Sequence, residues 1–378
     1  MPTSRPLLLA TGVATVAGWS LGWLYRRVRL RRNPGRVLRA SFQQTMLRVK
    51  DPKKSLQFYG FHFGMRLVHK YDFPQWKFSL YFLERPRNEA VTLIPRAGTL
   101  ESEDYLWNME GTVLELTHNW GSEKDDDFEV WSGNEGNDVE DTSSPLYRAD
   151  VTRGFGHVAF NVPDVYELSG HLERAGVPFQ KKPDEGRMKG LAFALDPDGY
   201  WIELVKRPDE NFPEMTNLSQ TMLRVKDAKA SVDFYTKLLG MDLVRSTDYG
   251  SFSNHFLGSL SDEERRRAPD PTSAEARDFV KTLWRPLLEL THNHGTEHDE
   301  SFHVHDGNSP PALGFGHIGF LVDDLNAMCS VMVDRGVRFH KSPSEGAMDN
   351  LAFAIDPSGY RVELVERGAS FAGVCSNF

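Results

Sequence analysis

The sequence contains very few cysteines, and its basic residues are outnumbered by its acidic ones. Cys329 and Cys375 are its two cysteines, too few for a disulfide framework, so disulfides do not hold this fold together. With 44 basic and 53 acidic residues, the formal net charge is −9, which argues against a nucleic-acid partner. The length of 378 residues allows two or three ordinary globular domains.

Acidic residues are absent from the first fifty positions, and Asp51 is the first acidic residue of the chain. Residues 6–25 carry no charge, and seven arginines follow them before position 40. An uncharged run of this length can just span a bilayer, and the arginines favour an uncleaved anchor with the following chain in the cytosol or an organelle matrix. A mitochondrial or other organellar presequence and a buried globular helix are the alternatives. We expect an N-terminal apolar helix within a membrane anchor or targeting segment at 1–40, and a membrane-anchored or organellar rather than cytosolic location.

Four blocks of the sequence occur twice, in the same order. The repeated pairs are Gln-Thr-Met-Leu-Arg-Val-Lys-Asp at 44–51 and 220–227, Leu-Glu-Leu-Thr-His-Asn at 114–119 and 288–293, Gly-Phe-Gly-His at 154–157 and 314–317, and Asp-Pro-x-Gly-Tyr with a later Glu at 196–203 and 356–363. Such an ordered repeat indicates that one ancestral unit was duplicated. We predict a first unit at 41–207, a linker at 208–217, a second unit at 218–366 and a loose tail at 367–378.

Each unit is predicted to contain two modules with the order strand, helix, strand, strand, strand. Strand periodicity is clear at 44–49 and 114–117, and Asp51-Pro52 is a typical start of a helix. A further strand is expected at 90–94, and a charged helix or loop at 262–267. The acidic segment 119–144 is expected to be a surface loop or a lid.

A glutamate lies in the middle of each repeated Leu-Glu-Leu strand. In the first copy, Glu115 faces away from Leu114 and Leu116, and its burial without a partner would be unfavourable. It could lie on a solvated face, or it could bind a metal. Each unit also offers a glutamine, a histidine and a second glutamate, and three oxygen donors with one imidazole suit a divalent ion. The candidate ligands are Gln44, Glu115, His157 and Glu203 in the first unit, and Gln220, Glu289, His317 and Glu363 in the second.

From about residue 43 to 365, these blocks resemble glyoxalase I (lactoylglutathione lyase) in its fused two-copy form, within the vicinal oxygen chelate superfamily. The resemblance implies an α+β fold in which four βαβββ modules pair into two open, eight-stranded, barrel-like sheets with flanking helices. It also implies an enzyme of methylglyoxal detoxification. A carboxylate would remove a proton from the hemithioacetal of glutathione and methylglyoxal, a metal would stabilise the enediolate, and S-D-lactoylglutathione would form.

The resemblance further implies that each site takes residues from both units. One site would consist of Gln44, Glu115, His317 and Glu363, and the other of Gln220, Glu289, His157 and Glu203. Glu203 and Glu363 are the expected catalytic bases, with Glu115 and Glu289 opposite them. Zinc is the expected metal, with nickel or cobalt possible, and glutathione is the cosubstrate. Because one chain completes both sites, we expect a monomer.

The resemblance carries over the substrate contacts as well. They are Arg48, Asn119, Arg153, Lys181, Met188, Arg224, Asn293, Lys341 and Met348. An ordinary surface charge is the alternative for Arg48 and Lys181. His118 and His292 do not match ligand positions and are interpreted as structural, and the histidine-rich loop at 294–305 as solvated rather than metal-binding.

Two other functions remain open on the sequence. A ring-cleaving dioxygenase of the same superfamily would need two histidines and one glutamate on iron, whereas each unit here supplies one matching histidine. A catalytically inactive binding module is the second alternative, although all eight ligand positions are filled.

Overall fold

The structure, a computed structural model, describes residues 30, 32–87, 93–186, 188–207 and 216–376. After a short helix α1 (Pro34–Val37), the first module consists of β1 (Ser41–Val49), α2 (Pro52–Phe63), β2 (Arg66–Phe73), β3 (Phe78–Glu84), α3 (Leu100–Asn108) and β4 (Val113–Asn119). The second module consists of β5 (Phe155–Val162), α4 (Val165–Arg174), β6 (Phe179–Lys181), β7 (Leu191–Leu195) and β8 (Trp201–Lys206).

The second half of the chain repeats this arrangement. The third module consists of β9 (Asn217–Val225), α5 (Ala228–Lys237), β10 (Asp242–Asp248), β11 (Phe252–Gly258), α6 (Asp262–Arg267), α7 (Ala274–Thr282) and β12 (Leu287–Asn293). A small hairpin of β13 (Asn308–Ser309) and β14 (Ala312–Leu313) precedes the fourth module of β15 (Phe315–Val322), α8 (Leu325–Asp334), β16 (Phe339–Lys341), β17 (Leu351–Ile355) and β18 (Arg361–Glu366). The charged stretch at 262–267 is therefore a helix.

The four modules pair into two eight-stranded mixed sheets, which confirms the predicted fold. The strand orders are β16-β17-β18-β15-β1-β4-β3-β2 in the first sheet and β10-β11-β12-β9-β5-β8-β7-β6 in the second. Neither sheet closes into a barrel. Antiparallel pairing of β1 with β15 joins the first module to the fourth, and pairing of β5 with β9 joins the second to the third. Each sheet thus combines one module from each sequence half, while the predicted domain boundaries stay a prediction.

Aspartates begin the main helix of every module, and the first agrees with the sequence prediction. Asp51 accepts a hydrogen bond from the Lys53 amide at the N-terminus of α2, where Pro52 occupies the first turn. Asp164, Asp227 and Asp324 begin α4, α5 and α8 in the same way. Such caps satisfy amides that have no partner within the helix.

The main hydrophobic core lies between the two sheets, and it decides which strand face bears the polar residues. Leu114 and Leu116 belong to this core, and Phe155 stacks on Phe315 across it with ring centroids 5.1 Å apart. Because strand side chains alternate, Glu115 projects from the opposite face of the first sheet. The predicted alternation of β4 is confirmed.

Two local expectations are not met among the described residues. Leu93 and Ile94 lie outside any strand, and residues 88–92 lie outside the described residues. Instead, a capping box between Thr99 and Ser102 starts α3. The tail is also not loose up to residue 376, since Phe371 is only 5% exposed and packs against α3 and β2.

The predicted apolar helix at 6–25 lies outside the described residues, as do most of the linker and Arg187. Among the residues that the structure describes, no helix is both long and apolar enough to cross a membrane. The expected membrane anchor therefore finds no support in the part of the chain that the structure describes, and we withdraw the expectation of a membrane-anchored or organellar location.

Candidate active sites

A buried cluster of four side chains lies on the open face of the first sheet. Gln44 Nε2 is 2.8 Å from Glu115 Oε2 and 3.1 Å from His317 Nε2, and it also donates to Glu363 Oε2. His317 Nε2 lies 3.2 Å from a carboxylate oxygen of each glutamate. All four residues are at most 6% exposed. The first module supplies Gln44 and Glu115, and the fourth supplies His317 and Glu363.

The second sheet carries the matching cluster. Gln220 Nε2 lies 2.7 Å from Glu203 Oε2 and 2.8 Å from Glu289 Oε2. His157 Nε2 is 3.3 Å from Glu203 Oε2 and 3.5 Å from Glu289 Oε2. The structure therefore brings together the two crossed sets of four residues that the resemblance implies.

Strand register explains why residues so distant in sequence converge. In the first sheet, Gln44 lies beside Gly319 of β15, and Gly319 lies beside Glu363 of β18. Met46 of β1 lies beside both His317 and Glu115 on its two neighbouring strands. Residues in adjacent register on one face project in the same direction, so the four side chains meet above the middle of the sheet.

Glycines leave the space that this convergence needs. A Cβ atom on Gly319 would lie 2.5 Å from Gln44 Cγ, closer than van der Waals contact allows. A Cβ atom on Gly316, in the repeated Gly-Phe-Gly-His block, would lie 2.4 Å from Met46 Cε. The block therefore allows β15 and β1 to pack closely beneath the cluster.

Each cluster is electrostatically suited to a positive charge at its centre. Burial disfavours the imidazolium of His317, yet the adjacent Glu363 and Glu115 raise its pKa to about 9. Burial also lowers the pKa of His157, but the adjacent Glu203 and Glu289 outweigh this effect and raise it to about 9. Burial raises the pKa of Glu115 and of Glu289.

The donor atoms also fit a divalent metal ion. Glu115, His317 and Glu363 each offer a ligand atom within 4.8 Å of the others, and His157, Glu203 and Glu289 form the second such group. Gln44 Oε1 is buried with no hydrogen-bond partner in the described part of the chain, whereas the amide nitrogen points toward the carboxylates. A cation prefers the amide oxygen, and the two ends of a glutamine amide exchange by a half-turn. The unpaired oxygen is therefore consistent with a metal that this amide would bind.

The predicted structural role of His118 and His292 agrees with the geometry. Their Nε2 atoms lie 2.9 Å from Glu123 and Glu297, respectively, and neither histidine belongs to a cluster. Among the described residues, the histidine-rich loop forms no metal-binding group.

The predicted substrate-binding arginines of β1 and β9 are engaged within the protein. Arg48 donates to the carbonyl oxygens of Gly307, Gly314 and Phe315, and to Asn308 Oδ1 at 2.9 Å. Arg224 makes the equivalent bonds to Gly133, Gly154, Phe155 and Asn134. Burial lowers the pKa of Arg224 to about 10. Both guanidinium groups thus fasten β1 or β9 to a loop of the other sequence half.

Other predicted contacts occupy loops around the clusters. Lys181 Nζ donates to the carbonyls of Met188 and Leu191, and Lys341 Nζ donates to those of Met348 and Leu351. Arg153 forms an ion pair with Asp138, with Nε and Oδ2 3.0 Å apart. Asn119 and Asn293 end β4 and β12. Met188 is 59% exposed, while Met348 lines a small cavity beside the first cluster.

This cavity is lined by several side chains that the sequence analysis did not predict as part of the site. It lies next to Gln44, Glu115 and Glu363, and its other lining side chains are almost all apolar: Tyr71, Phe73, Leu80, Phe82, Trp107, Met348, Leu351 and Phe371. The sequence pattern could have revealed four of these residues, Tyr71, Phe73, Leu80 and Phe82, because they occupy alternate positions of β2 and β3. Trp107 and Phe371 come from a helix and a tail that no pattern connected with the cluster.

The second cluster has polar neighbours at matching positions. Asn254, which corresponds to Leu80 in strand position, donates to Glu289 Oε1 at 2.6 Å. Thr247 corresponds to Tyr71. A comparison of β3 with β11 in the sequence would have revealed this difference between the halves.

Comparison with known proteins shows the family to which this chain is related. The family model described as Glyoxalase/Bleomycin resistance protein/Dioxygenase superfamily matches residues 41–204 and 217–364. "Glyoxalase I" of Saccharomyces cerevisiae is 41% identical over 334 residues, covering 86% of this chain and 91% of that protein. "Lactoylglutathione lyase" of Schizosaccharomyces pombe is 38% identical, covering 85% and 95%. The crystal structure of glyoxalase I from Zea mays has a TM-score of 0.57 at 26% identity, covering 87% of this chain and 92% of that one.

These matches confirm both the predicted resemblance and the enzyme class that it implies. They span both sequence units, and the family model begins at residue 41, after the predicted N-terminal segment. The paired modules, the two crossed clusters and the curated relatives agree, and the chain belongs to the glyoxalase I (lactoylglutathione lyase) family, as a member with two fused units.

Proposed function

We propose that this chain isomerises the hemithioacetal of glutathione and methylglyoxal to S-D-lactoylglutathione, and that it does so at both clusters. The observation that carries the assignment is the buried group of one glutamine, two glutamates and one histidine in each sheet. Two carboxylates on opposite sides of a shared centre can move a proton between adjacent substrate carbons. The activity named for the similar proteins, that of a lactoylglutathione lyase, supplies the substrate class.

Glu363 at the first cluster and Glu203 at the second are the proposed bases. Each removes the proton from the carbon that bears sulfur, and the proton returns to the neighbouring carbon. Glu115 and Glu289 lie opposite them, and burial raises the pKa of both, so either can hold a proton at neutral pH more readily than an exposed glutamate.

Zinc is the proposed metal, held by Gln44, Glu115, His317 and Glu363 in the first cluster and by Gln220, Glu289, His157 and Glu203 in the second. When bound, it stabilises the negative charge that develops on the substrate oxygens. Nickel or cobalt could occupy the same donors, because carboxylate, amide oxygen and imidazole do not discriminate strongly between these ions. The longer form of the chain, with insertions such as residues 85–110 between β3 and β4, resembles zinc-using members of the family.

The protein environment would orient substrate around the metal. We propose that glutathione contacts Asn119, Arg153, Lys181, Met188, Asn293, Lys341 and Met348. Arg48 and Arg224, also predicted as contacts, would act chiefly by fastening the loops that border each cluster, because their donors already reach main-chain oxygens.

Thioester formation tests the proposal directly. The purified protein, supplied with zinc, should produce a thioester absorbance from glutathione and methylglyoxal. The Glu203→Gln, Glu363→Gln double variant should lose that activity, while the exposed control His303→Asn should keep it. Absence of activity with zinc, nickel and cobalt would instead support an inactive binding module. The dioxygenase alternative finds no support in the described clusters, each of which contains one histidine.

A further inference from the structure

The C-terminal segment 368–376 crosses the first module beside the first cluster. Ser376 N donates to Asp72 O, and Gln75 Nε2 donates to Val374 O at 2.6 Å, which attaches the segment to the end of β2. Asn350 Nδ2 donates to Ser370 O at 2.9 Å, which attaches it to the loop that contains Met348. We call residues 368–376 the strap.

A buried carboxylate anchors the strap. Glu103 of α3 is 3% exposed and accepts hydrogen bonds from Ser370 Oγ and from the Phe371 amide, both at 2.7 Å. It also accepts from Tyr71 Oη at 2.6 Å, and Tyr71 Oη accepts from Trp107 Nε1 at 2.8 Å. Hydrogen bonds to a buried carboxylate are strong and directional, so the anchor holds Phe371 in one place.

The Phe371 side chain forms one wall of the cavity that also borders Gln44, Glu115 and Glu363. Its ring lies 5.7 Å from Tyr71 and 5.6 Å from Trp107, measured between centroids. The remaining cavity measures about 30 Å³, which leaves room for about two water molecules. A small apolar group can enter this space, whereas an aromatic ring cannot while Phe371 occupies its position.

The second cluster lacks this anchor on its corresponding helix. The fourth and eighth residues of α7 are Arg277 and Lys281, where α3 has Glu103 and Trp107. The positions of Tyr71 and Leu80 are taken by Thr247 and Asn254. Arginine cannot accept the bonds that Glu103 receives, so α7 cannot hold a strap in this manner.

We propose that the strap is a specificity element of the first site alone, and that Phe371 limits the size of the aldehyde-derived substituent accepted there. The inference rests on the proposed function for its substrates. The first site accepts the methyl group of the methylglyoxal adduct and rejects the phenyl group of the phenylglyoxal adduct. Phe371→Ala removes one phenyl ring from the wall, the same group that phenylglyoxal brings.

The test compares both adducts at one site at a time. In a Glu203→Gln background, which leaves the first site, Phe371→Ala should raise the ratio of kcat/KM for the phenylglyoxal adduct to that for the methylglyoxal adduct at least tenfold. In a Glu363→Gln background, which leaves the second site, the same substitution should leave the ratio unchanged. Phe61→Ala, which alters a phenylalanine that is 71% exposed, is the matched control and should change neither ratio.

A second variant covers the case in which Phe371→Ala does not fold. Glu103→Gln weakens the anchor but keeps the ring, so it should change the ratio in the same direction by a smaller factor. Calorimetry with S-methylglutathione and S-benzylglutathione on the zinc-loaded protein repeats the comparison without turnover, and Phe371→Ala should tighten binding of the benzyl compound selectively.

The outcomes separate the two ideas. An unchanged substrate ratio and unchanged benzyl affinity in folded Phe371→Ala and Glu103→Gln would overturn the role of the strap and leave the proposed function intact. Absence of thioester formation in every protein, including the unaltered one, would overturn the proposed function. Calorimetry would then still decide whether the strap limits the size of the bound group.

Discussion

Thr45 and Thr221, which occupy the same position in the two sequence halves, are hydrogen-bonded to each other through Oγ1 atoms 2.6 Å apart. Both are fully buried. A second pair of equivalent residues, Phe155 and Phe315, stacks on the two strands that pair with the strands of Thr221 and Thr45. Contact between equivalent residues is the mark of a two-fold axis, here between two halves of one chain. The interface that a homodimer would form between subunits is therefore internal.

We expect a monomer in solution for this reason. A chain lacking residues 1–40 should show the mass of a single chain by light scattering, with and without zinc. A stable dimer whose metal is shared between two chains would contradict the intrachain pairing of modules.

The two sites should differ in affinity for substrate. In the sequence, four basic residues accompany the second module, which supplies His157 and Glu203: Arg153, Lys181, Arg187 and Lys189. The matching sequence positions of the fourth module are Leu313, Lys341, Ala347 and Asp349. Glutathione carries two carboxylates and one ammonium, so a basic rim favours it, and one lost charged hydrogen bond costs about 1–3 kcal/mol of binding.

The site containing Glu203 should therefore have the lower Michaelis constant. Glu203→Gln should remove most of the activity at low substrate, and Glu363→Gln should leave most of it, in steady-state measurements on each variant. The reverse result would show that the basic rim does not set affinity.

Metal analysis should find about two zinc ions per chain after purification without added metal. Removal of zinc should lower the thermal unfolding midpoint, because an ion that binds the folded chain more tightly than the unfolded chain stabilises the folded state. The double variant Glu115→Gln, Glu289→Gln should show a smaller effect of chelation. Nickel at a near-stoichiometric level in the unaltered protein would contradict the assignment of zinc.

Replacement of Arg224 should affect stability before substrate affinity. Arg224→Met removes the donor for three carbonyl oxygens near the second cluster, so we expect a loss of roughly 2 kcal/mol in the free energy of unfolding. Denaturant titration would measure it, with the exposed Arg66→Met as control. A raised Michaelis constant with unchanged stability would instead favour direct contact with glutathione.

Asp196 should make stability depend on pH. Burial, followed by the nearby charge of Asp198, raises the pKa of Asp196 to about 7 in the folded protein, from about 3.9 in the unfolded chain. The folded state thus binds this proton more tightly, and its stabilising effect is complete below about pH 4 and is lost as pH rises toward 7.

Asp196→Asn should therefore reduce the fall in unfolding free energy between pH 4.5 and 7.5 by about 3 kcal/mol. The exposed Asp126→Asn is the control and should reproduce the original slope. Equal slopes in Asp196→Asn and the unaltered protein would show that Asp196 remains ionised over this range.

The sequence by itself determined the modules and the eight candidate ligands. Strand periodicity, helix-starting aspartates and ordered repeats are local or nearest-neighbour properties, so Asp51, Glu115 and the Gly-Phe-Gly-His blocks could be interpreted without a structure. The pairing of Gln44 with His317 came from family resemblance, because strand register between distant modules leaves no periodic signal in one sequence.

Only the tertiary structure decided what surrounds each cluster. Arg48 is of a residue type that commonly binds substrate carboxylates. In the folded chain, however, its guanidinium donates to the main-chain oxygens of Gly307, Gly314 and Phe315. Phe371 lies in a tail without a strong pattern, yet the carboxylate of Glu103 fixes it beside Glu115. Such contacts depend on side chains from separate elements meeting in three dimensions, and they are decided by packing and hydrogen bonding that no local pattern encodes.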